Sequence, residues 1–126
     1  MVLRTYLQAK LHGIRLTDKN VQYVGSLTLS REYLDATGMA ENEAVQVVNV
    51  TTGARLMTYI IVTEEPGQCV LNGGAARLAE VGDQMIVMTF AMSDRPIQPK
   101  VAFLDAKNQI ERIEAGERAE VNNLIC

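Results

Sequence analysis

The sequence contains no tryptophan, and Phe and Tyr together supply only 5% of its 126 residues. Aliphatic and methionine side chains must therefore fill the hydrophobic core. Only two cysteines are present, Cys69 and Cys126, and their spacing is not typical of metal ligands. Both are predicted to be free thiols in a reducing compartment, and no metal site is expected.

A strong excess of charge of one sign is also missing, since the net charge is −3 and the pI is near 5.1. This balance gives no basic surface for nucleic acid or an anionic membrane, although Arg4, Lys10 and Arg15 form either a solvated rim or an anion site. No apolar run approaches the ~20 residues of a membrane span. The N-terminal MVLRTYLQAKLHG also lacks the apolar core of a signal peptide. We therefore expect a cytoplasmic protein with no nucleic-acid or membrane partner.

The sequence is rich in short runs of β-branched residues. Its length indicates a single domain over residues 1–126. Two short helices are expected, REYLDAT after an N-cap at Ser30 and before Gly38, and AARLAE at 75–80. The pattern therefore predicts a mainly β, barrel-like domain with short helices. Strands are predicted at 44–50, 55–63, 84–92 and 100–104, around Tyr6 and over 21–29.

A search for familiar catalytic motifs returns little. The single histidine, His12, has no nucleophile motif around it, and there is no Gly-rich phosphate loop or telling carboxylate pair. Asn72-Gly73-Gly74 is either a hairpin turn or a backbone clamp on a ligand. Composition and spacing alone leave the function open.

Longer runs in register are more specific. The segment LQAKLHGIRLTDKNVQYVGSLTLS resembles the start of the pyruvoyl-dependent aspartate 1-decarboxylases, and the resemblance continues to about residue 113. A lone Tyr-x-Gly-Ser would be a weak signal, whereas several blocks at family spacing are a strong one. The further matches are Glu41-Asn42-Glu43, Asn49-Val50-Thr51-Thr52-Gly53, Arg55 with Thr58-Tyr59, Asn72-Gly73 with Ala75-Ala76, Val81-Gly82-Asp83, and PKVAFLDAKNQI.

This resemblance implies a double-psi β-barrel assembled as a homotetramer, with active sites between neighbouring subunits. It implies a precursor (zymogen) that cuts itself between Gly25 and Ser26 into a short chain, 1–25, and a long chain, 26–126. Ser26 would become a covalent pyruvoyl group, so no external cofactor is needed. Through a Schiff base with this group, the enzyme would convert L-aspartate to β-alanine and CO₂ for pantothenate and coenzyme A biosynthesis.

The resemblance also implies roles for individual residues. Thr58 would favour the ester formed during cleavage, and Tyr59 would protonate the substrate Cα, since a phenol carries its proton at neutral pH. Arg55 would grip the substrate carboxylate, with Lys10 adding positive charge. The substrate would be framed by Asn72, Gly73, Gly74 and Ala75.

Some positions have a structural interpretation beside this one. Gly25 is expected to tolerate a strained backbone and leave its carbonyl open to attack. His12 is interpreted as a structural histidine, and Tyr23 either packs beside the cleavage turn or helps to order it. Gly74 stands where many family members have alanine, and Ser30 where many have aspartate.

Two other functions stay open from the sequence. One is an uncleaved, non-catalytic β-barrel that binds partners, with Gly25-Ser26 an ordinary turn. The other is the same chemistry on another acidic amino acid, such as glutamate. The sequence also leaves open whether an activating protein is needed, as in some family members, and whether the tail after Ile113 packs on a neighbouring subunit.

Overall fold

The computed structural model describes residues 1–116, so Cys126 and most of the C-terminal tail lie outside the described residues. Within this range the chain forms strands, one short α-helix and one 3₁₀ helix, Gly73–Leu78. The α-helix, α1, spans Arg31–Thr37. The strands are β1 (Arg4–Arg15), β2 (Asp18–Asn20), β3 (Ser26–Ser30), β4 (Ala44–Asn49), β5 (Arg55–Thr63), β6 (Cys69–Asn72), β7 (Gln84–Ser93), β8 (Lys100–Leu104) and β9 (Ile110–Glu114).

All of these strands are hydrogen-bonded in one sheet, in the order β2-β6-β3-β5-β4-β7-β1-β8-β9. The pairs β1–β8, β2–β6 and β3–β5 are parallel, and the other neighbours are antiparallel. The prediction of a mainly β fold with short helices is confirmed, and the strand order is consistent with a double-psi β-barrel. Among residues 1–116, the paired strands do not close the sheet on itself.

Most predicted strands form within a few residues of their expected bounds, but five elements differ. The strand expected over 21–29 begins only at Ser26, because residues 21–25 form turns and bends. The second helix is a 3₁₀ helix that starts at Gly73. Strands β2, β6 and β9 were not predicted. The first two have only three and four residues, and β9 is largely exposed and gives no alternating apolar pattern.

Helix α1 begins and ends where expected. Gly38 adopts the left-handed conformation with φ 81° and donates its N–H to the Leu34 carbonyl at 2.7 Å, a helix ending that favours glycine. Ser30 stands at the N-cap but makes no side-chain bond to the helix. Its Oγ instead donates to the Glu65 carbonyl and accepts the Gln68 N–H, both at 2.6 Å. Ser30 therefore ties α1 to the turn that precedes β6.

The core is aliphatic, as the shortage of aromatic residues predicts. The aromatic residue most deeply buried there is Tyr33 on α1, which is fully buried and donates its hydroxyl to the Asn108 carbonyl at 2.6 Å. No helix within residues 1–116 is long and apolar enough to cross a membrane. Other fully buried side chains are Leu11, Ile14, Leu27, Leu29, Val45, Val47, Ile60, Leu71, Met85 and Val87.

Candidate active site

Ser26 is the first residue of β3, and its side chain is held inside the protein. The residue is 1% exposed, although Val24 before it is exposed. Its Oγ accepts a hydrogen bond from Asn72 Nδ2 at 2.9 Å and donates a longer one to the Val24 carbonyl at 3.4 Å. A serine hydroxyl at the boundary between an exposed turn and a buried strand is thus fixed by two partners.

The next strand of the sheet supplies the group that holds Ser26. Strand β6 runs antiparallel to β3, and Asn72 pairs directly with Ser26. Gly73 follows with φ 70°, and a Cβ built there would lie 2.6 Å from Gly25 Cα and 2.8 Å from Gly25 N. Only glycine fits this close approach of two backbones. The start of the 3₁₀ helix therefore presses directly on the Gly25-Ser26 turn.

The strain expected at Gly25 itself is not observed. Its φ lies outside the left-handed region, and a Cβ there would meet only the Asn72 carbonyl oxygen, at 3.9 Å. The conformational demand falls on Gly73 instead, because that residue has both the positive φ and the crowded Cβ direction. Gly74 and Ala75 follow it, and a Cβ at Gly74 would meet nothing within 4 Å.

Strand β5 brings Tyr59 to the level of Ser26. Strands β3 and β5 are parallel, with Leu27 opposite Ile60, so that the preceding residues, Ser26 and Tyr59, follow in the same register. Thr58 and Tyr59 are both half-buried and point to opposite faces of the strand. Within the described part of the chain, Thr58 makes no side-chain hydrogen bond to the cleavage turn.

Lys10 and Arg55 meet at a different place. They line a cavity of about 360 Å³ together with Asn49 and Gly53, and with the apolar residues Val48, Val50, Ile86 and Met88. Lys10 is buried at 9% exposure, whereas Arg55 is exposed. We call this the cationic cavity.

The other site residues predicted from the sequence do not line the cationic cavity. We call them the cleavage cluster, after the predicted cut; they are Gly25, Ser26, Thr58, Tyr59, Asn72, Gly73, Gly74 and Ala75. Arg55 precedes Tyr59 by four residues on β5, which separates their Cα atoms by about 13 Å. Within one chain, the site residues predicted from the sequence therefore form two separate groups.

Asn49 shapes one wall of the cationic cavity. It is 1% exposed, and its Oδ1 accepts the N–H groups of Thr51 and Thr52 at 3.0 and 3.2 Å. Its Nδ2 donates to Asp83 Oδ2 at 2.8 Å. The backbone N–H of Glu80 and then this amide lower the pKa of Asp83. The β4–β5 turn that leads to Arg55 is thereby tied to the loop after the 3₁₀ helix.

His12 and Tyr23 differ in their surroundings. The half-buried His12 ring packs against Phe103 at 5.3 Å between centroids, with an interplanar angle of 52°. Tyr23 is 56% exposed, so its ring does not pack beside the turn within this chain. The Tyr23 carbonyl oxygen is close to Gly73, at 3.1 Å from the position that a Cβ added to Gly73 would take.

Cys69 is buried at the start of β6, and burial raises the pKa of its thiol to about 12. Cys69 is a free cysteine, as the sequence predicts. Within residues 1–116, no group of three or more His, Cys, Asp and Glu side chains could hold a metal ion.

Thr28 lies near Ser26 and was not predicted from the sequence as a site residue. Asn72 Nδ2 also donates to Thr28 Oγ1, at 3.0 Å. Strand periodicity offered a signal, because Thr28 lies two residues after Ser26 and so shares its face. Nothing in the sequence showed that a side chain from β6 would cross that face.

Comparison with known sequences shows which family the chain belongs to. Residues 2–111 match the model of the aspartate decarboxylase family. A protein of Bacillus licheniformis named aspartate 1-decarboxylase is 48% identical over 121 residues, which cover 92% of this chain and 95% of the relative. Proteins of the same name from Exiguobacterium sibiricum and Campylobacter jejuni are 45% and 44% identical, covering 94% and 90% of this chain and 97% and 94% of theirs. The chain belongs to the aspartate decarboxylase family.

Proposed function

We propose that this chain cuts itself between Gly25 and Ser26 and then converts L-aspartate to β-alanine and CO₂. The observation that carries the proposal is the buried Ser26 Oγ, held by Asn72 Nδ2 at 2.9 Å next to a peptide pressed against Gly73. Relatives named aspartate 1-decarboxylase that align over nearly the whole chain support the substrate. Together they favour catalysis over a non-catalytic binding module.

The cleavage step begins with Ser26 Oγ bonding to the Gly25 carbonyl carbon. The C–N bond breaks, the hydroxyl proton passes to the freed Ser26 nitrogen, and the backbone amide becomes an ester. Loss of the Ser26 Cα proton expels the Gly25 carboxylate and leaves a dehydroalanine, and water then releases ammonia and leaves a ketone. The products are residues 1–25 and a long chain, 26–126, that begins with the pyruvoyl group.

The Ser26 hydroxyl is placed for an internal attack on the neighbouring carbonyl. The residue is 1% exposed, so protein groups rather than solvent hold its hydroxyl, although Gly25 itself is exposed. The Asn72 N–H at Oγ stabilises negative charge that develops there as the proton leaves. Thr58 would donate a hydrogen bond that favours the ester stage, as the family resemblance implies.

The residues around Ser26 also fit the group made from it. The group would lie at the start of β3 with Asn72 beside it and Tyr59 in register on β5. A pyruvoyl ketone supplies an electron sink for decarboxylation, in place of pyridoxal phosphate. Tyr59 would give the proton to the substrate Cα, and the backbone from Gly73 to Ala75, with Gly74 between them, would border the substrate.

The cationic cavity is the candidate anchor for the substrate carboxylate. Arg55 offers the planar fork that pairs with a carboxylate, and Lys10 adds a second positive charge. Because the cavity excludes the cleavage cluster of the same chain, we propose a homotetramer in which it faces the cleavage cluster of a neighbouring copy. The β-alanine would then feed pantothenate synthesis in the cytoplasm.

Intact-mass analysis under denaturing conditions tests the proposal. We expect two fragments that break after Gly25, a long chain resistant to Edman degradation, and CO₂ and β-alanine from aspartate. Ser26→Ala is expected to give one uncut, inactive chain, whereas Ser93→Ala, at the end of β7, behaves as wild type. A single full-length mass with no CO₂ release would contradict the proposal. The same assay with glutamate, in which γ-aminobutyrate is the product measured, tests whether the enzyme acts on aspartate or on glutamate.

A further inference from the structure

The Asn72 side chain makes two hydrogen bonds along one face of β3. Its Nδ2 donates to Ser26 Oγ at 2.9 Å and to Thr28 Oγ1 at 3.0 Å. A primary amide nitrogen carries two N–H groups, so each acceptor takes one. Asn72 is 4% exposed, and water therefore does not replace either partner readily.

Strand geometry explains why Thr28 is the second acceptor. Residues two apart on a strand project from the same face, so the Thr28 hydroxyl follows the Ser26 hydroxyl along β3. Asn72 is the β6 partner of Ser26, and Val70 is the partner of Thr28. The Asn72 amide therefore lies across the interval between the two hydroxyl groups.

We propose that Thr28 is a positioning residue for self-cleavage, acting through Asn72; this inference rests on the proposed function. The final torsion of an asparagine side chain is soft, and one acceptor alone would leave the amide free to turn. Thr28 Oγ1 takes the second N–H, so the first stays directed at Ser26 Oγ. The Ser26 hydroxyl is thereby held for attack on the Gly25 carbonyl.

Thr28 takes no part in the bond changes themselves. The new bond joins Ser26 Oγ to the Gly25 carbonyl carbon, and the hydroxyl proton ends on the Ser26 nitrogen. Thr28 neither gains nor loses a proton. Its removal should therefore slow cleavage without abolishing it, in contrast to the removal of Ser26.

Thr28→Val is the direct test, because valine keeps the shape and strand preference but removes the acceptor. We expect the first-order rate of appearance of residues 26–126, followed by denaturing mass spectrometry of fresh precursor, to fall about tenfold, as expected for one neutral hydrogen bond. Thr28→Ser should cut within about threefold of wild type, because it restores the hydroxyl. Thr28→Ala serves if the valine variant does not fold.

Thr89→Val is the matched control. Thr89 is also a strand residue, 1% exposed, and its Oγ1 has no hydrogen-bond partner among the described residues. This variant should cut at the wild-type rate and melt near the wild-type temperature, and every variant is assayed well below its own Tm.

Three results would overturn the inference. A Thr28→Val or Thr28→Ala chain that cuts at the wild-type rate removes the role of the hydroxyl. A serine variant as slow as the valine variant shows that packing, not hydrogen bonding, is responsible. A wild-type chain that is never cut contradicts the proposed function as well as the inference. The first two results, in contrast, can be obtained only if the wild-type chain is cut, so the two kinds of failure are distinguishable.

Discussion

Replacing Gly73 by alanine tests whether the close approach of the 3₁₀ helix to the Gly25-Ser26 turn matters. Gly73 has φ 70°, and its added Cβ would lie 2.6 Å from Gly25 Cα and 3.1 Å from the Tyr23 carbonyl oxygen. Both neighbours are backbone, so neither can yield by changing a rotamer. The Gly25-Ser26 peptide must move by about 1 Å to restore an ordinary contact.

The cost of this change has two parts. A non-glycine residue in the left-handed region costs about 1–2 kcal/mol, and the displaced backbone adds about 1–3 kcal/mol by analogy with overpacked cores. The reduced freedom of the unfolded chain returns about 0.4–1 kcal/mol. We expect a net loss of about 2–4 kcal/mol, which at about 4 °C per kcal/mol lowers Tm by about 8–16 °C.

Cleavage should suffer beyond the loss of stability, because a 1 Å misplacement of reacting groups costs about 100-fold in rate. The assay combines calorimetry with denaturing mass spectrometry of fresh precursor, well below the lowered Tm. Gly74→Ala is the matched control, since its Cβ meets nothing within 4 Å and its φ is outside the left-handed region. That variant should melt within about 3 °C of wild type.

The reasoning would be refuted by a Gly73→Ala chain that melts and cuts like the wild type. It would also be refuted if Gly74→Ala were equally damaging, because the two sites differ in φ and in the space around Cβ. A stable Gly73→Ala chain that does not cut would separate the geometric effect from folding.

Three further predictions concern other groups. Arg55→Lys should raise the KM for aspartate about tenfold with a smaller change in kcat, because the bidentate contact with the substrate carboxylate is lost. Arg95→Lys, on the exposed surface, should match wild type. An unchanged KM in the Arg55 variant would exclude Arg55 as the residue that binds the carboxylate. In a Cys126→Ser background, Cys69 should not react with thiolate-directed reagents at pH 9 until the protein unfolds, because burial raises its pKa to about 12; rapid labelling of folded protein would contradict the buried site. The pKa of Asp83 is lowered in the folded protein, so the stabilisation by this carboxylate is present above its unfolded pKa of about 3.9 and is lost as pH falls through the folded pKa. Asp83→Asn should therefore lower Tm more at pH 7 than in acid, and an equal loss at both would refute the charge effect.

Several elements could be predicted from the sequence because their signals are local. Strand β5 appears where RLMTYIIVT predicted it, and α1 ends at Gly38 because a left-handed C-terminal residue favours glycine. The 3₁₀ helix, β2, β6 and β9 were harder to predict. The first three have only three to six residues each, and β9 has almost no buried face. Weak burial leaves little periodic pattern to detect.

The sequence by itself determined the family, the mainly β character and the residues to examine, because motif spacing and strand preference are properties of the chain. Only the tertiary structure decided which residues meet. It separated the cationic cavity of Lys10 and Arg55 from the cleavage cluster, moved the glycine requirement from Gly25 to Gly73, and placed Asn72 between Ser26 and Thr28. These contacts depend on the pairing of β3 with strands far along the chain, and that register is set by the packing of the whole sheet.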